Sequence, residues 1–254
     1  MRQFLGQFLG KEKKRAQTGD KIANVLQPDA PFYAIGDIHG RLDLLDVLMQ
    51  QIDPEANQKL VFLGDYIDRG PDAAGVLKWL FDLEYRRPDQ VVCLMGNHER
   101  MMLDFIDDPL GRGNIWLRHG GLATLESFGV HRATIHDDPM HLCQALERAL
   151  DPAMTAWLRQ LPLSWHSGNV WCVHAAMDPI KTPTAQRSKT MLWGHPAFLR
   201  TSRQDNACVV HGHTTVGAPE IHNSRIAIDT GAYHTGRLTA AYLADNQCRF
   251  VQIP

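Results

Sequence analysis

The sequence predicts an α/β fold. Short runs of β-branched and aromatic residues alternate with helical patterns in the first hundred residues, and polar residues follow directly where each run ends. The apolar residues between the first three runs repeat with the i, i+3, i+4, i+7 spacing of an amphipathic helix. Strands and helices that alternate in this order are typical of a sheet with helices packed against it.

Six runs are predicted as buried strands because polar turns bound them. They are residues 32–35, 60–63, 91–95, 170–173, 208–210 and 226–228. The sheet-facing residues of the two intervening helices are Leu45, Leu48, Met49 and Ile52, then Val76, Trp79, Leu80 and Leu83. After residue 170 the chain is rich in strand signals, which continue through 238–243 and 248–253.

Residues 99–161 predict a mainly helical insertion between the third and fourth strands. No internal repeat or proline-rich linker divides the sequence, so residues 30–254 are predicted to form a single domain. Residues 1–29 are predicted to be a mobile basic extension, because Lys11, Lys13, Lys14 and Arg15 follow a few apolar residues. A weak contact of this extension with anionic lipid or a partner is the alternative.

Bulk composition limits the classes of function. The 254 residues carry 26 Lys and Arg against 28 Asp and Glu, so no strong field favours nucleic acid or an anionic membrane. No apolar run reaches the roughly 18 residues of a transmembrane helix. The five cysteines are scattered without a C-x-x-C pair, which indicates a reducing compartment and hence a cytoplasmic protein.

Candidate functional residues lie where the predicted strands end, in loops that should meet at one crevice of an α/β fold. The segments are Gly36-Asp37-Ile38-His39-Gly40, Gly64-Asp65-Tyr66-Ile67-Asp68-Arg69-Gly70, Gly96-Asn97-His98-Glu99, Val173-His174-Ala175, Gly212-His213-Thr214 and Asp229-Thr230-Gly231-Ala232. Oxygen and nitrogen donors of these types suit a divalent metal ion. A single Asp after a strand would indicate a turn or helix cap, but six such segments together predict one metal site.

The order of G-D-x-H-G, G-D-x-x-D-R-G and G-N-H-E resembles the phosphoprotein phosphatase branch of the calcineurin-like metallophosphoesterases. The chain is most similar to small bacterial and phage serine/threonine phosphatases, and more distantly resembles bacterial diadenosine tetraphosphatases. The match runs over residues 32–243. The resemblance implies a β-sandwich of mixed sheets flanked by helices, with the helical insertion as a cap.

The resemblance also implies roles for individual residues. Two divalent cations are expected, with manganese favoured over iron, zinc or magnesium, and a hydroxide held between them attacks phosphorus directly. The implied metal ligands are Asp37, His39, Asp65, Asn97, His174 and His213, with Asp65 bridging both ions. His98 would be the proton donor, Asp68 would orient it, and Arg69 together with Asn97 would bind the substrate phosphate. Asp68 could instead pair with Arg69 alone.

Two further positions are less closely tied to the family pattern. Asp229 is expected to support a metal-bound histidine without binding metal. Bacterial relatives commonly follow Leu-Trp with an arginine-containing segment that provides a second phosphate clamp, but this chain has Gly194, His195 and Pro196 there. His195 or Arg200 is the candidate replacement, and the absence of a second clamp is equally open.

The predicted substrate is a phosphoprotein carrying phosphoserine or phosphothreonine, or a small phosphoester. Hydrolysis of a dinucleoside polyphosphate is the enzymatic alternative, and a non-catalytic binding module is the alternative of another class. The acidic residues Asp104, Asp107 and Asp108 predict an acidic rim, which would repel a dinucleotide and tolerate a phosphopeptide with basic residues.

Overall fold

A computed structural model describes residues 25–55, 58–111 and 113–254. Most of the predicted extension 1–29 lies outside the described residues, so its mobility and its alternative lipid contact stay predictions. No helix in the described ranges combines the length and the apolar character that crossing a membrane requires.

The described residues form ten strands and nine α-helices. The strands are β1 Phe32–Ile35, β2 Lys59–Phe62, β3 Val91–Cys93, β4 Ser164–Ser167, β5 Val170–Val173, β6 Cys208–His211, β7 Glu220–His222, β8 Arg225–Ala227, β9 Leu238–Ala244 and β10 Gln247–Ile253. The helices are α1 Leu42–Ile52, α2 Ala73–Arg86, α3 Asn97–Asp107, α4 Gly113–Trp116, α5 Leu122–Ser127, α6 Pro139–Ala149, α7 Pro152–Gln160, α8 Ser188–Trp193 and α9 Ala232–Thr235.

The strands make two five-stranded mixed sheets. The first has the order β10-β9-β1-β2-β3, in which β1, β2 and β3 are parallel and β9 runs antiparallel to β1. The second has the order β4-β5-β6-β8-β7, with β5, β6 and β8 parallel. The parallel strands of each sheet therefore bring the loops at their carboxyl ends to one edge.

Alternation along the strands decides which residues face which layer. Ala34 of β1 and Val61 of β2 pack with Cys172 and Val210 of the second sheet, so the two sheets face each other across one core. The intervening residues of β1 and β2 face outward and pack against α1 and α2. The predicted sandwich of mixed sheets flanked by helices is thereby confirmed.

The insertion is mainly helical, as predicted, and runs from α3 to α7 with a kink at Gly120, whose φ is 117°. Asp-Pro pairs start α6 and α7, where the Asp138 and Asp151 carboxylates accept hydrogen bonds from Met140 N at 3.1 Å and Ala153 N at 2.8 Å. An aspartate at the N-cap followed by proline is a strong start signal for a helix.

Strands β4 and β7 have no counterpart among the predicted strands. Each lies at an outer edge of the second sheet and is joined to its neighbour by an antiparallel pairing. Both are short and mostly polar, and their side chains are largely solvent-accessible. An edge strand gains its hydrogen bonds from its neighbour, so its own sequence need not carry the apolar signal of a buried strand.

The Tyr66 hydroxyl ties the ends of two parallel strands together. It donates to Leu94 O at 2.7 Å and lies 3.1 Å from Phe62 O, and the side chain is fully buried. Phe62 O also accepts from Leu94 N at 2.9 Å, so the hydroxyl proton serves mainly Leu94 O.

Replacing Tyr66 with Phe should lower the free energy of unfolding by about 1–3 kcal/mol, because the buried Leu94 carbonyl loses the hydroxyl donor. Thermal or urea denaturation measures the change. Tyr85→Phe is the matched control, since Tyr85 is 81% exposed. Equal unfolding midpoints for the two variants would contradict this role of Tyr66.

Candidate metal centre and active site

The six predicted metal ligands come together at the carboxyl ends of the parallel strands. Five are almost completely buried, and His213 is half-buried. They follow strands of both sheets, so the site lies where the two layers of the sandwich meet at one edge. The expectation that these distant segments converge is met by the geometry.

Unusual backbone conformations position these side chains. Positive φ angles occur at His39 (47°), Asp65 (53°), Asp68 (71°), Arg69 (68°) and His213 (60°). A non-glycine residue in the left-handed region costs roughly 1–3 kcal/mol and persists where its surroundings fix it. Such residues are concentrated at functional sites, and half of the positive-φ residues that the structure gives outside glycine lie in these loops.

Glu99 fixes the Asp65 loop. Its Oε2 accepts from Asp65 N at 2.9 Å and Gly96 N at 3.0 Å, and its Oε1 accepts from Tyr66 N at 2.8 Å. Burial, with the nearby Asp65 charge, raises the pKa of Glu99 to about 8, whereas the backbone N–H donors favour its ionised form. The G-N-H-E motif contains Glu99, but the sequence analysis gave it no role.

The first cluster of potential ligand atoms comes from His39, Asp65 and His98, and these atoms lie within 4.8 Å of one another. His39 Nε2 is 3.5 Å from Asp65 Oδ2. His39 Nδ1 donates to Ile67 O at 2.7 Å, which leaves the Nε2 lone pair directed into the cluster. Burial lowers the pKa of His39 to about 3, so the imidazole is neutral and can bind a metal ion.

The second cluster comes from Asp65, His174 and His213 and shares Asp65 with the first. His174 Nδ1 donates to Leu63 O at 3.0 Å, so its Nε2 presents a lone pair. This Nε2 lies 2.8 Å from Asn97 Oδ1 and 3.3 Å from Asp65 Oδ1, which are also lone-pair donors. Three such atoms facing one another fit a cation between them.

Asp37 adds a further vacant ligand atom. Its Oδ2 accepts from His213 N at 3.0 Å, but its Oδ1 is buried without a hydrogen-bond partner within the described part of the chain. Burial and repulsion from Asp229 and Asp65 raise the pKa of Asp37 well above its ordinary value. An unpaired buried carboxylate oxygen among neighbouring carboxylates is what a bound cation would stabilise. The residues present therefore fit a pair of divalent metal ions.

Asp229 lies beside the site and is held by two hydrogen bonds. Its Oδ2 accepts from the Thr215 hydroxyl at 2.9 Å and its Oδ1 accepts from Gly231 N at 2.8 Å. The expectation that it supports a metal-bound histidine stays a prediction. Asp229 influences His213 electrostatically, because its negative charge acts to raise the pKa of that imidazole.

His98, Asp68 and Arg69 lie together at the cluster. His98 Nδ1 donates to Asp68 Oδ2 at 2.5 Å, and its Nε2 is 3.8 Å from Asp65 Oδ2. Burial disfavours the imidazolium, but Asp65 and Asp68 outweigh it and raise the pKa of His98 above its usual value. Arg69 Nη2 lies 3.0 Å from His98 Nε2. Asp68 therefore pairs with His98 and not with Arg69 alone.

The helical insertion supports Asp68 from behind. Trp116 Nε1 donates to Asp68 Oδ2 at 2.9 Å, and the Thr124 hydroxyl donates to Asp68 Oδ1 at 2.6 Å. Both residues are fully buried. Trp116 thus packs in the core against Phe105 and also reaches the site through Asp68. Thr124 carried no signal in the sequence.

Tyr233 borders the site and was not predicted. The Arg69 guanidinium carbon lies 4.9 Å from the centroid of the Tyr233 ring, and the His39 ring contacts the same ring edge-to-face at 5.3 Å. Tyr233 is 37% exposed, so it forms part of the wall beside Arg69. Nothing in the local sequence distinguishes this tyrosine from a surface residue.

The two candidates for a second phosphate clamp differ in position. His195 lines the same pocket as His213, and its Nε2 is 3.8 Å from Asp178 Oδ2. Arg200 is exposed and is not part of that pocket lining. The geometry therefore favours His195 of the two.

The prediction of an acidic rim is corrected, because its acidic side chains have hydrogen-bond partners in the structure. Arg159 holds the Asp107 carboxylate through two hydrogen bonds of 2.6 and 3.0 Å, and Arg100 bonds Asp104 at 2.6 Å. Asp108 accepts from Gly111 N at 3.1 Å. The prediction of an acidic rim did not take account of the arginines that the helices place beside these acids. A preference for basic flanking residues therefore loses its basis.

Comparison with known proteins gives the family. The family model for the calcineurin-like phosphoesterases matches residues 30–251. The symmetrical bis(5'-nucleosyl)-tetraphosphatase of Janthinobacterium sp. (strain Marseille) is 28% identical over 87% of this chain and 96% of its own length. The catalytic subunit of serine/threonine-protein phosphatase 6 of Caenorhabditis elegans is 37% identical over 37% of this chain and 30% of its own length.

Solved structures agree at the level of the fold. A serine/threonine phosphatase of Saccharomyces cerevisiae superposes with a TM-score of 0.61 and 15% identity, covering 89% of this chain and 80% of the yeast chain. The serine/threonine phosphatase relatives found by sequence are matched over 21% to 33% of their own length. The family match spans nearly the whole described body of the chain, which belongs to the calcineurin-like phosphoesterase family.

Proposed function

We propose that this phosphoesterase hydrolyses phosphomonoesters, with phosphoserine and phosphothreonine as its substrates. The observation that carries the proposal is the position of the His98–Asp68 pair beside two potential metal-binding clusters that share Asp65. A shared carboxylate suits two cations, and an imidazole held by a carboxylate suits proton transfer. The five cysteines, four of them buried and none in a C-x-x-C pair, support the proposal of a cytoplasmic location.

The proposed ligand sets share Asp65 as the clusters do, with Asp37 in place of His98 in the first and Asn97 added to the second. Asp37, His39 and Asp65 would hold the first cation, and Asp65, Asn97, His174 and His213 would hold the second. When bound, two divalent cations lower the pKa of water to near neutrality and offset the charge of the phosphoryl group. Manganese is the proposed ion, since nitrogen and oxygen donors of this kind accept it and family resemblance favours it.

Arg69 and His98 act on the substrate in the proposed reaction. The Arg69 guanidinium can bond two phosphoryl oxygens at once, and Tyr233 keeps it at the edge of the site. When the phosphoryl group takes the Arg69 N–H donors, His98 Nε2 is free to hold a proton. Asp68 stabilises that imidazolium, which then protonates the leaving oxygen.

A second candidate function has its own support. The relative named as a symmetrical bis(5'-nucleosyl)-tetraphosphatase matches this chain over nearly its whole length, whereas the serine/threonine phosphatases match over about a third of it. Hydrolysis of a dinucleoside polyphosphate would use the same cations and the same proton donor. The two candidates differ in what binds beyond the scissile phosphate.

Chelation of metal ions should abolish hydrolysis of nitrophenyl phosphate, and added manganese should restore it, because the nucleophile depends on the cations. A steady-state assay measures both steps. Asp108→Asn is the control, and added manganese should restore its activity as it does that of the wild type. The activity of Asp65→Asn should not be restored. Full activity in protein shown to be metal-free by elemental analysis would rule out the proposed mechanism.

Replacing His98 with Ala should reduce kcat by roughly two to four orders of magnitude while metal content stays unchanged, since a general acid contributes about that much. The loss should be larger on an alkyl phosphate than on nitrophenyl phosphate, whose leaving group needs less protonation.

His131→Ala is the matched control for this experiment, because His131 forms the same kind of carboxylate pair, 2.9 Å from Glu126, at an exposed position. Its kcat should match the wild type. Equal losses on both substrates in His98→Ala would show that His98 is not the acid.

Substrate class is tested by comparing kcat/KM for a phosphoserine peptide with that for diadenosine tetraphosphate. The proposal expects the peptide to be the better substrate at both low and physiological ionic strength. A tenfold or larger advantage of the dinucleotide under both conditions would replace the protein-phosphatase proposal with the nucleotide one.

A further inference from the structure

Two pockets adjoin one another beside the proposed metal centre. The near pocket has a volume of about 330 Å³, and its lining includes Trp193, Pro196, Phe198, Leu199, His213 and Thr214. The far pocket has a volume of about 140 Å³, and its lining includes Leu199, Thr214, His211, Glu220, His222 and Arg225. Leu199 and Thr214 line both, so the two pockets are neighbours, and together they are called the trough; the near one is lined by the proposed metal ligand His213.

The near pocket offers an apolar surface to the part of the substrate that lies next to the phosphoryl group. Trp193 is 43% exposed and Leu199 is 52% exposed, and Phe198 lies beneath them. Large apolar side chains that face solvent in a concave site next to the proposed catalytic residues favour an apolar ligand group. This part of the trough suits a hydrophobic side chain of a substrate.

The far pocket contains a buried cation without an anionic partner. Arg225 is only 5% exposed, and no carboxylate of the described residues lies within 4 Å of its guanidinium. One N–H donates to Leu199 O at 3.0 Å, and the Phe198 ring lies 5.5 Å from the guanidinium carbon. An arginine is rarely buried unless it is paired, and the remaining N–H donors of Arg225 are not sealed off from the pocket that it lines, so they suit an anion bound there.

The other ionisable residues of the far pocket do not supply that anion. Glu220 is exposed and acts on Arg225 only at longer range. His211 donates through Nδ1 to Gly212 O at 3.0 Å and packs its ring against Phe198. His222 Nε2 is bonded to Asn223 at 2.8 Å. Arg225 is therefore the positive centre of the pocket, with one carboxylate at the rim.

We propose that the far pocket binds an anionic side chain of the phosphopeptide substrate, and that Arg225 determines this specificity. The phosphorylated residue lies at the metal centre, an apolar side chain occupies the near pocket, and a carboxylate or a second phosphoryl group reaches Arg225. The inference rests on the proposed function, because it names the class of phosphopeptide that the same site prefers. It replaces the expectation of basic flanking residues with a preference for an acidic one.

The test uses the full-length, manganese-loaded protein and a set of phosphoserine peptides. Each peptide carries leucine next to the phosphoserine and a single Asp that is moved through positions two to five on either side, and its reference carries Asn instead. One position should give an Asp-to-Asn ratio of kcat/KM of about ten, expressed mainly in KM, because a charge-assisted hydrogen bond replaces a neutral one. A peptide with phosphoserine at that position identifies whether carboxylate or phosphate is preferred.

Variants assign the preference to Arg225. Arg225→Gln should bring the Asp-to-Asn ratio to about one, and Arg225→Lys should keep most of it, because the charge remains. Glu220→Gln should increase the ratio, since the competing carboxylate is lost. Arg249→Gln is the matched control: Arg249 also lies over an aromatic ring, at 4.8 Å from the Tyr242 centroid, but on the other sheet. Its ratio should equal that of the wild type.

The ratio compares two peptides within one variant, so a general loss of activity does not affect it. If no Asp position gives a ratio above two in the wild-type protein, the inference is wrong and the phosphatase proposal is unaffected. A preference that survives in Arg225→Gln would do the same. If no phosphopeptide is hydrolysed while nitrophenyl phosphate is, both the inference and the proposed substrate class are wrong.

Discussion

The concentration of buried carboxylates at one edge of the sandwich is the constraint on which the site depends. Asp65 and Asp229 raise the pKa of Asp37, whose Oδ1 has no partner among the described residues. The imidazoles of His39 and His213, whose pKa burial lowers, do not offset the charge on Asp37. Divalent cations would remove the repulsion, so the same carboxylates that are costly in the empty fold become ligands when metal is bound.

The backbone that presents these ligands is held by groups outside the ligand set. The left-handed conformations of His39 and Asp65 are local costs that the surrounding contacts must offset. Glu99 contributes to this by accepting hydrogen bonds from the backbone N–H groups of Asp65, Tyr66 and Gly96. A carboxylate that binds only backbone thus fixes the position of the proposed bridging ligand.

The helical insertion covers the core and also positions Asp68 of the proposed active site. Trp116 and Thr124 occupy the lone pairs of Asp68 that face away from His98, so the carboxylate is held in one orientation. On the other side of the site, Leu199 and Thr214 connect the metal centre to the pocket of Arg225. Proton transfer and substrate selection are therefore supported by different parts of the chain around one centre.

The sequence alone determined the α/β class, the central strands and the six proposed ligands, because apolar periodicity and strand-end motifs are local signals. It did not determine the polar edge strands β4 and β7, which depend on a neighbour for their hydrogen bonds. It also could not show Tyr233 beside Arg69, the pairing that neutralises the acidic rim, or the unpaired burial of Arg225. The contacts of Arg69 with Tyr233 and of Arg159 with Asp107 join residues far apart in sequence, and only the packed tertiary structure decides which charged groups meet.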